Sequence, residues 1–276
     1  MINIENLHFS YKKKAVFKGL SLSFAGNHIY GLLGKNGTGK STLLKNIIGS
    51  LFPEAGSIKV LGFIPGKRQP AYLREAFIVP EEFYLPDVPI KKFIACNAPF
   101  YPRFNKTQFD TYLKEFDIPV ENSLQQMSYE QKKKVLISFA LACNTAVLLM
   151  DEPSNGLDIM SKSQFRKVIA GAADENKCII ISTHQVKDLE SLIDRITIID
   201  EGQILFDQHI DQISSKLDFS ISYDNDDDGV LYKEASLKGN AIVTGNITGR
   251  EGKVDLEMLY KAVVTNGAAI NNIFRN

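Results

Sequence analysis

One segment restricts the possible folds of this chain more than any other, Gly34-Lys35-Asn36-Gly37-Thr38-Gly39-Lys40-Ser41. Its spacing fits G-x-x-x-x-G-K-[ST], the pattern of a loop that binds phosphate groups. The apolar run at 29–33 before it is typical of a buried strand, and apolar residues recur after it at helical spacing up to Gly49. A strand therefore leads into a helix through a glycine-rich loop, whose N–H groups and helix N-terminus attract phosphate oxygens.

Two side chains of the loop extend this chemistry. Lys40 can reach the β- and γ-phosphates of a nucleotide, and the Ser41 hydroxyl can bind Mg²⁺. The alternative is a glycine-rich turn with an unrelated lysine, and the full pattern with both flanks disfavours it. The loop therefore predicts a nucleotide site with Mg²⁺.

Length and composition set broader limits. The 276 residues can bury a full core and form one large domain, or one domain with an appendage. The 32 basic and 32 acidic residues cancel, so the charge balance does not favour a nucleic-acid partner. The three cysteines lie far apart and fit a reducing compartment, and no run approaches the roughly 18 apolar residues of a spanning helix. We therefore expect a soluble cytoplasmic chain without a nucleic-acid partner.

The N-terminal half changes from strand signals to helix signals. Residues 2–9 and 16–24 predict two short strands with Tyr11 in the turn between them, and strand patterns return from about 50 to 80. Residues 83–126 differ, because prolines interrupt short amphipathic helical pieces. This segment predicts a mainly helical insertion.

A long helix and a second buried strand follow. Ser128 is a good N-cap for a helix over 128–143, and we expect the lysines at 132–134 to cover its solvent side. The apolar run 146–150 then ends in Asp151-Glu152-Pro153. Ligands collect at the carboxyl ends of parallel strands, so we predict that Asp151 binds Mg²⁺ and that Glu152 polarises the attacking water. An acidic surface turn is the alternative.

A third buried strand at 178–182 ends in Thr183-His184. A lone histidine is usually packed or solvated. At the carboxyl end of such a strand, however, His184 is predicted to contact a γ-phosphate. Residues 154–158 predict a turn into a helix over 161–173, and 195–207 predict a last hairpin.

In this order the motifs resemble those of the ATP-binding subunits of ABC transporters, over residues 1–215. The matches are Walker A at 34–42, Walker B at 147–152, the D-loop at 154–158, the switch histidine at His184 and the adenine-stacking aromatic at Tyr11. The resemblance implies an α/β fold: a P-loop NTPase core with a mixed sheet, an antiparallel β subdomain and a helical subdomain at about 83–145. It also implies ATP hydrolysis, with ATP and Mg²⁺ bound.

The resemblance also implies roles for individual residues. The residues expected to act in catalysis are Lys40, His184 and Glu152, the last as general base. The expected Mg²⁺ ligands are Ser41, Asp151 and Glu81. The expected contacts with ATP are Tyr11, Gly34, Lys35, Asn36, Gly37, Thr38, Gly39, Lys40, Ser41, Thr42, Ser128 and Asp158.

Partners follow from the resemblance as well. ATP is expected to close a head-to-tail dimer, in which Ser128 and Asp158 act on the nucleotide of the opposite subunit. Hydrolysis is expected to reopen it. The second subunit is either another copy or a different ATPase. The helical subdomain is expected to dock on membrane-spanning permease subunits on separate chains, which places the protein on the cytoplasmic face of the cell membrane.

Two positions depart from the family pattern. Where the family has its signature motif, Leu-Ser-Gly-Gly-Gln, this chain has Met127-Ser128-Tyr129-Glu130-Gln131. At a second position, Glu81 replaces a metal-contacting glutamine. Glu81 can still meet Mg²⁺, although its charge opposes the nearby phosphates. Tyr129 adds bulk where glycine allows close approach to the phosphate. Glu130 is expected to repel a bound phosphate, because two like charges about 6 Å apart repel by roughly 2–3 kcal/mol at a dielectric near 20. We expect a homodimer to close weakly and to hydrolyse ATP slowly unless a permease aligns it or a partner ATPase supplies an intact signature.

Residues 216–276 lie beyond the resemblance and predict a small α/β appendage. The expected elements are strands at 218–223, 229–234 and 241–246 and a helix at 255–265 that stops at Asn266-Gly267. The acidic run 224–228 lacks the glycine and the closing glutamate of a calcium-binding loop, so it is interpreted as a solvated turn.

Two other functions stay open at this point. A soluble ABC-type ATPase of DNA repair or translation is disfavoured, because the sequence shows neither long coiled coils nor a second ATPase core. The altered signature keeps open an ATP-dependent conformational switch with little hydrolysis. A measurement of ATP turnover distinguishes that switch from a transporter ATPase. A measurement of membrane association distinguishes the soluble ATPase from a transporter ATPase.

Overall fold

The computed structural model describes all residues except 122, 175, 224–228, 238, 248, 250 and 276. The interpretation of 224–228 as a solvated turn therefore lies outside the described residues. The strands are β1 (Ile2–Tyr11), β2 (Lys14–Phe24), β3 (His28–Leu33), β4 (Ala55–Val60), β5 (Ala76–Val79), β6 (Val147–Asp151), β7 (Cys178–Thr183), β8 (Arg195–Asp200), β9 (Gln203–His209), β10 (Leu217–Ser222), β11 (Val230–Ser236) and β12 (Gly239–Gly245). The helices are α1 (Lys40–Ile47), α2 (Pro70–Leu73), α3 (Ile90–Asn97), α4 (Lys106–Glu115), α5 (Tyr129–Ala142), α6 (Ile159–Ala172), α7 (Ile210–Lys216) and α8 (Leu256–Arg275).

A six-stranded mixed sheet lies at the centre of the described fold, in the order β5-β6-β7-β3-β8-β9. Its strands are parallel except β9, which runs antiparallel to β8. In β6, Val147 and Leu149 join one hydrophobic cluster, whereas Leu148 and Met150 join the other. A strand buried on both faces needs apolar side chains at every position, which explains its uninterrupted apolar run.

Different layers cover the two faces of the central sheet. One face packs against α1 and the antiparallel sheet β2-β1-β4, and the other packs against α5 and α6. Leu43 of α1 and Phe165 of α6 are fully buried in these two layers. The predicted α/β fold, with its mixed sheet and antiparallel β subdomain, is confirmed.

The parallel register places the predicted motifs at one edge of the sheet. Leu33 at the end of β3 pairs with Thr183 at the end of β7, and Asp151 at the end of β6 pairs with Ser182. The glycine-rich loop that follows β3 and the acidic residues that follow β6 therefore meet at the carboxyl edge. This is where open parallel sheets bind their ligands.

The segment between β5 and β6 forms the predicted helical subdomain, with α3, α4 and α5. Phe139 of α5 is buried at its centre. Its ring contacts five other aromatic rings, from β5, α3, α4 and the chain between the helices: Phe77, Phe93, Tyr101, Phe104 and Phe109. Edge and tilted ring pairs of this kind give a helical layer a defined packing arrangement.

The predicted helix stop at Asn266 is confirmed as a break in α8, although a second helical segment that the sequence analysis does not predict follows it. Asn266 leaves helical geometry with a φ of −137°, but the helix resumes and ends at Arg275. Tertiary contacts hold the kink, because the Asn266 amide donates to the Leu231 carbonyl at 3.0 Å and the Asn271 amide to the Leu205 carbonyl at 2.9 Å. No helix in the described part of the chain, α8 included, is long and apolar enough to cross a membrane.

The C-terminal segment shares the core of the preceding part. Its antiparallel sheet β10-β12-β11 packs with α8, and their buried residues belong to the same hydrophobic cluster as one face of the central sheet. Leu217 and Leu259 are fully buried there, and Phe206 of β9 contacts Phe274 of α8 edge-on. Truncation after residue 215 would therefore uncover a large apolar surface. The division at 215/216 stays a prediction.

Replacing Leu259 with alanine tests whether the C-terminal segment shares the core. The substitution opens a cavity in the common cluster, so we expect the free energy of unfolding to fall by about 2–5 kcal/mol. A single denaturation transition, followed by circular dichroism, should shift as a whole. Leu237→Ala is the control, because Leu237 is fully exposed, and its effect should stay within about 0.5 kcal/mol. Two transitions, of which only one shifts, would contradict the shared core.

Candidate active site

The loop between β3 and α1 needs glycine at two positions for different reasons. Gly39 has a φ of 108°, and a Cβ there would lie 2.8 Å from the Phe17 ring of β2. At Gly34, a Cβ would lie 2.5 Å from the Ile199 carbonyl oxygen of β8. The glycine pattern therefore reflects how closely the loop packs against two strands.

Lys40 begins α1, and its ammonium lies inside this loop. Nζ donates to the carbonyl of Gly34 at 2.7 Å and to that of Lys35 at 3.1 Å. The hydroxyl of Thr38 also donates to the Lys35 carbonyl, at 2.9 Å. The Lys40 side chain is 5% exposed, so its positive charge is fixed among backbone groups that would face a phosphate.

A carboxylate and two hydroxyl groups meet beside the loop. Oδ1 of Asp151 accepts from the Ser41 hydroxyl at 3.0 Å and from the Ser182 hydroxyl at 2.6 Å. Asp151 and Ser182 are buried, and their strands pair directly at these residues. The adjacent oxygens of Ser41 and Asp151 are of the hard type that Mg²⁺ prefers, so the donor set fits this ion.

Glu152 places a buried carboxylate next to the same loop. Its backbone is left-handed, with a φ of 45°, which is uncommon for a residue with a side chain. Oε1 lies 3.0 Å from His184 Nδ1 and 3.5 Å from Lys40 Nζ. Oε1 nevertheless has no hydrogen-bond donor of suitable geometry among the described residues. A buried oxygen in this state has the capacity to accept a proton from water, as a general base must.

A cavity of about 330 Å³ lies over the loop and brings most predicted ATP contacts together. Those that line it are Tyr11, Asn36, Gly37, Gly39, Lys40, Ser41 and Thr42. Tyr11 is paired with Lys14 at the end of β1, so its predicted place in the turn is wrong. The residue is 46% exposed, and its hydroxyl oxygen accepts from Thr42 Oγ1 at 3.4 Å.

Glu81 lines this cavity as well. Its Oε1 accepts from the Asn155 amide at 3.0 Å, so the carboxylate is tied to the D-loop. The geometry therefore places Glu81 within the candidate site while one of its oxygens is already engaged.

Ser128 and Asp158 do not line the cavity of their own chain. Both are exposed N-caps: Ser128 accepts from the backbone N–H of Gln131 at the start of α5, and Asp158 accepts from that of Ser161 at the start of α6. That bond holds the pKa of Asp158 below its usual range. Their expected action on the nucleotide of another subunit stays a prediction.

The two altered signature residues are bonded within their own chain. The Tyr129 hydroxyl donates to the backbone carbonyl of Glu81 at 2.6 Å. The Glu130 carboxylate accepts from the Ser161 hydroxyl and lies 3.3 Å from Lys134 Nζ. A neighbouring ammonium offsets part of the charge on Glu130. The effect of both residues on turnover stays a prediction.

Comparison with known proteins decides the family. The family model described as ABC transporter matches residues 17–155, which is half of the chain. The ATP-binding protein EcfA1 of an energy-coupling factor transporter from Fusobacterium nucleatum is 31% identical over 219 residues, covering 75% of this chain and 81% of the relative. The chain belongs to the ABC transporter family.

Two further proteins resemble this ABC subunit. The ABC transporter ATP-binding protein YtrB of Bacillus subtilis is 25% identical over 230 residues, covering 82% of this chain and 78% of the relative. The solved structure of cbiO1 from Clostridium perfringens, part of the ABC transporter complex cbiONQ, matches with a TM-score of 0.63 and 25% identity, covering 75% of this chain and 88% of that one. This chain is thus an ATP-binding and ATP-hydrolysing subunit of the ABC transporter type.

Sequence reasoning missed three side chains of this ABC subunit. Ser182 could have been found, because the parallel pairing of its strand with β6 sets it opposite Asp151. Lys133 could not, because it lies in a lysine run that was expected to face solvent, yet it is 1% exposed and Lys134 is buried too. Tyr260 of α8 lines a second cavity of about 230 Å³ together with residues of the loop and with His184. No local sequence pattern predicts that Tyr260 lies near the loop and His184.

Replacing Ser182 with alanine tests the support of Asp151. The substitution removes one hydroxyl donor from a buried carboxylate, so we expect the free energy of unfolding to fall by about 1–3 kcal/mol in chemical denaturation. Ser138→Ala is the matched control: Ser138 is equally buried, but its hydroxyl donates only to the Lys134 carbonyl of its own helix. Its effect should stay under about 1 kcal/mol. Equal losses in both variants would show that Ser182 contributes only packing.

Proposed function

We propose that this chain is the ATPase subunit of a membrane transport complex and that Mg²⁺-ATP closes it against a second ATPase subunit. One observation supports this most directly. Glu152 Oε1 lies beside Lys40 and His184 and accepts no hydrogen bond from the described residues, whereas Ser128 and Asp158 stay outside the cavity of their own chain. The chain holds one half of a nucleotide site and presents the other half outward.

In this proposal, residues of the loop bind and orient the nucleotide. The loop N–H groups and Lys40 hold the β- and γ-phosphates. The exposed ring of Tyr11 stacks on adenine. Ser41 and Asp151, with Glu81 at the edge of the cavity, hold Mg²⁺. When bound, this ion would polarise the phosphoryl oxygens and stabilise their negative charge.

Two further residues act on the water. Glu152 Oε1 accepts a proton from the attacking water, because it is buried and has no hydrogen-bond donor among the described residues. His184 lies with Nδ1 at 3.0 Å from that oxygen, and its backbone N–H lies 3.4 Å from the other carboxylate oxygen. His184 therefore orients Glu152 and stands beside the γ-phosphate.

The second subunit binds on the face that carries Ser128 and Asp158. Both caps are exposed, and the large apolar side chains of Ile159 and Met160 follow Asp158 in solvent. Exposed apolar side chains next to a polar functional loop favour a protein partner. The partner is either a second copy or a related ATPase chain.

A separate groove is suited to a permease. It has a volume of about 690 Å³ and lies between the edge of the central sheet at β5 and the helical subdomain. Its lining includes Phe100 and Tyr101, together with Arg68 and Arg74. We propose that a short permease segment with apolar and acidic side chains docks here, on the cytoplasmic side of the membrane. That cbiO1 is part of the complex cbiONQ supports such a partner.

Glu152→Gln tests the catalytic role. The variant keeps the shape of the side chain but loses the base, so we expect ATP to bind and its hydrolysis to fall by about 100-fold or more. Phosphate release and equilibrium binding of ATP are the measurements. Glu115→Gln is the control, because Glu115 makes a surface pair with Lys167. Turnover in the Glu152 variant equal to wild type would refute the assignment.

Phe100→Asp tests the permease groove. Phe100 is 68% exposed, so the change should leave folding and ATP hydrolysis by the isolated subunit intact. We expect it to reduce by about tenfold the membrane-spanning protein that co-purifies with the tagged subunit from native membranes, a loss near 1.4 kcal/mol. Val120→Asp, at another exposed apolar site, is the control. The docking proposal fails if wild type brings down no membrane-spanning protein, or if Phe100→Asp brings down as much.

A further inference from the structure

Lys133 is a buried cation that the site described so far does not use. It lies on α5, only 1% exposed, and its Nζ donates to the backbone carbonyls of Glu152 and Asn155, at 2.9 Å in each case. Burial lowers the pKa of Lys133, and the nearby carboxylates of Glu81, Glu152 and Asp151 act in the opposite direction. The Lys133 ammonium thus bonds the backbone of Glu152, whereas Lys40 lies beside its carboxylate.

The two bonds from Lys133 end on both sides of one tight turn. The backbone N–H of Asn155 donates to the Glu152 carbonyl at 3.1 Å, which closes the turn. Glu152 has a left-handed backbone in this turn, a conformation that costs free energy for a residue with a Cβ and persists only when its surroundings hold it. Lys133 is bonded to the carbonyl of the residue whose carboxylate faces the nucleotide loop.

The same turn connects Lys133 to both departures from the family pattern. Asn155 donates its amide to Glu81 Oε1 at 3.0 Å, and the Tyr129 hydroxyl donates to the Glu81 carbonyl at 2.6 Å. The Tyr129 ring lies 5.8 Å from Lys133 Nζ, within the range of a cation–π contact. Lys133, Tyr129 and Glu81 are therefore parts of one connected network, with Asn155 as its link.

We propose that Lys133 is a positioning residue for ATP hydrolysis: it holds the 152–155 turn so that the Glu152 carboxylate faces the attacking water, and its charge balances the carboxylate at Glu81. This inference rests on the proposed function of Glu152. Lys133 also contributes to stability, because its ammonium satisfies the backbone carbonyls of Glu152 and Asn155, and this contribution is separate from the positioning role. What methionine at this position cannot supply is the positive charge and the two backbone bonds.

Lys133→Met tests the proposal, because it keeps the length of the side chain and removes the ammonium. Lys132→Met is the matched control, since Lys132 is the neighbouring residue on α5 and makes no side-chain hydrogen bond or ion pair within the described part of the chain. We expect kcat for ATP to fall by about tenfold or more in Lys133→Met, with KM changed by less than about threefold. Lys132→Met should leave both unchanged.

A second measurement needs no nucleotide. Amide hydrogen exchange in the segment 150–158 of the nucleotide-free protein should be faster in Lys133→Met than in wild type, because the turn loses two of its bonds. In Lys132→Met it should be unchanged. Equal exchange in all three proteins would overturn the idea that Lys133 holds the turn.

Glu81→Gln separates the charge of Lys133 from its packing. If Lys133 balances Glu81, then removing the charge of Glu81 in the Lys133→Met background should recover kcat by about threefold or more. No recovery would overturn the charge-balancing role. If Lys133→Met keeps wild-type kcat while Glu152→Gln is impaired, the positioning role is wrong and the proposed function stands. If Glu152→Gln also keeps wild-type turnover, the proposed catalytic role itself is wrong.

Discussion

Two hydroxyl groups hold the Asp151 carboxylate, and their hydrogen bonds join the three elements that form the site, α1, β6 and β7. Oδ1 of Asp151 accepts from Ser41 at the start of α1 and from Ser182 at the end of β7. Parallel pairing aligns the carboxyl ends of β6 and β7. The hydrogen bond from Ser41 then fixes the phosphate-binding helix α1 against these ends. Because a buried carboxylate is costly without partners, the arrangement that suits Mg²⁺ also contributes to the stability of the fold.

Charge distribution explains how the altered motifs fit into the same fold. Three carboxylates lie around the site, those of Asp151, Glu152 and Glu81, while Lys40 approaches from the loop and Lys133 from α5. In a partly buried site, the positive charges of Lys40 and Lys133 reduce the electrostatic repulsion between the carboxylates and a bound phosphate. The two altered signature residues are bonded within their own chain, Tyr129 to the Glu81 backbone and Glu130 to Ser161 of α6.

The C-terminal segment connects the site with the far end of the chain. Helix α8 reaches the segment that follows His184, where Lys187 lies 3.0 Å from Glu257, and Tyr260 lines a cavity with His184 and Lys35. The buried side of α8 belongs to the core that supports the central sheet. A rearrangement of the segment after His184 would therefore displace α8, since packed elements shift together.

Local patterns in the sequence predict the phosphate-binding loop, the acidic end of β6, the helical subdomain and the layered α/β fold. Glycine spacing, helix caps and apolar periodicity are local signals, and they act over a few residues. Three features depend on tertiary contacts: the burial of Lys133, the hydrogen bond from Ser182 to Asp151, and the second helical segment that follows the break at Asn266. Each of these depends on partners far away in the chain, because a polar side chain becomes buried only where distant backbone or side-chain groups satisfy it.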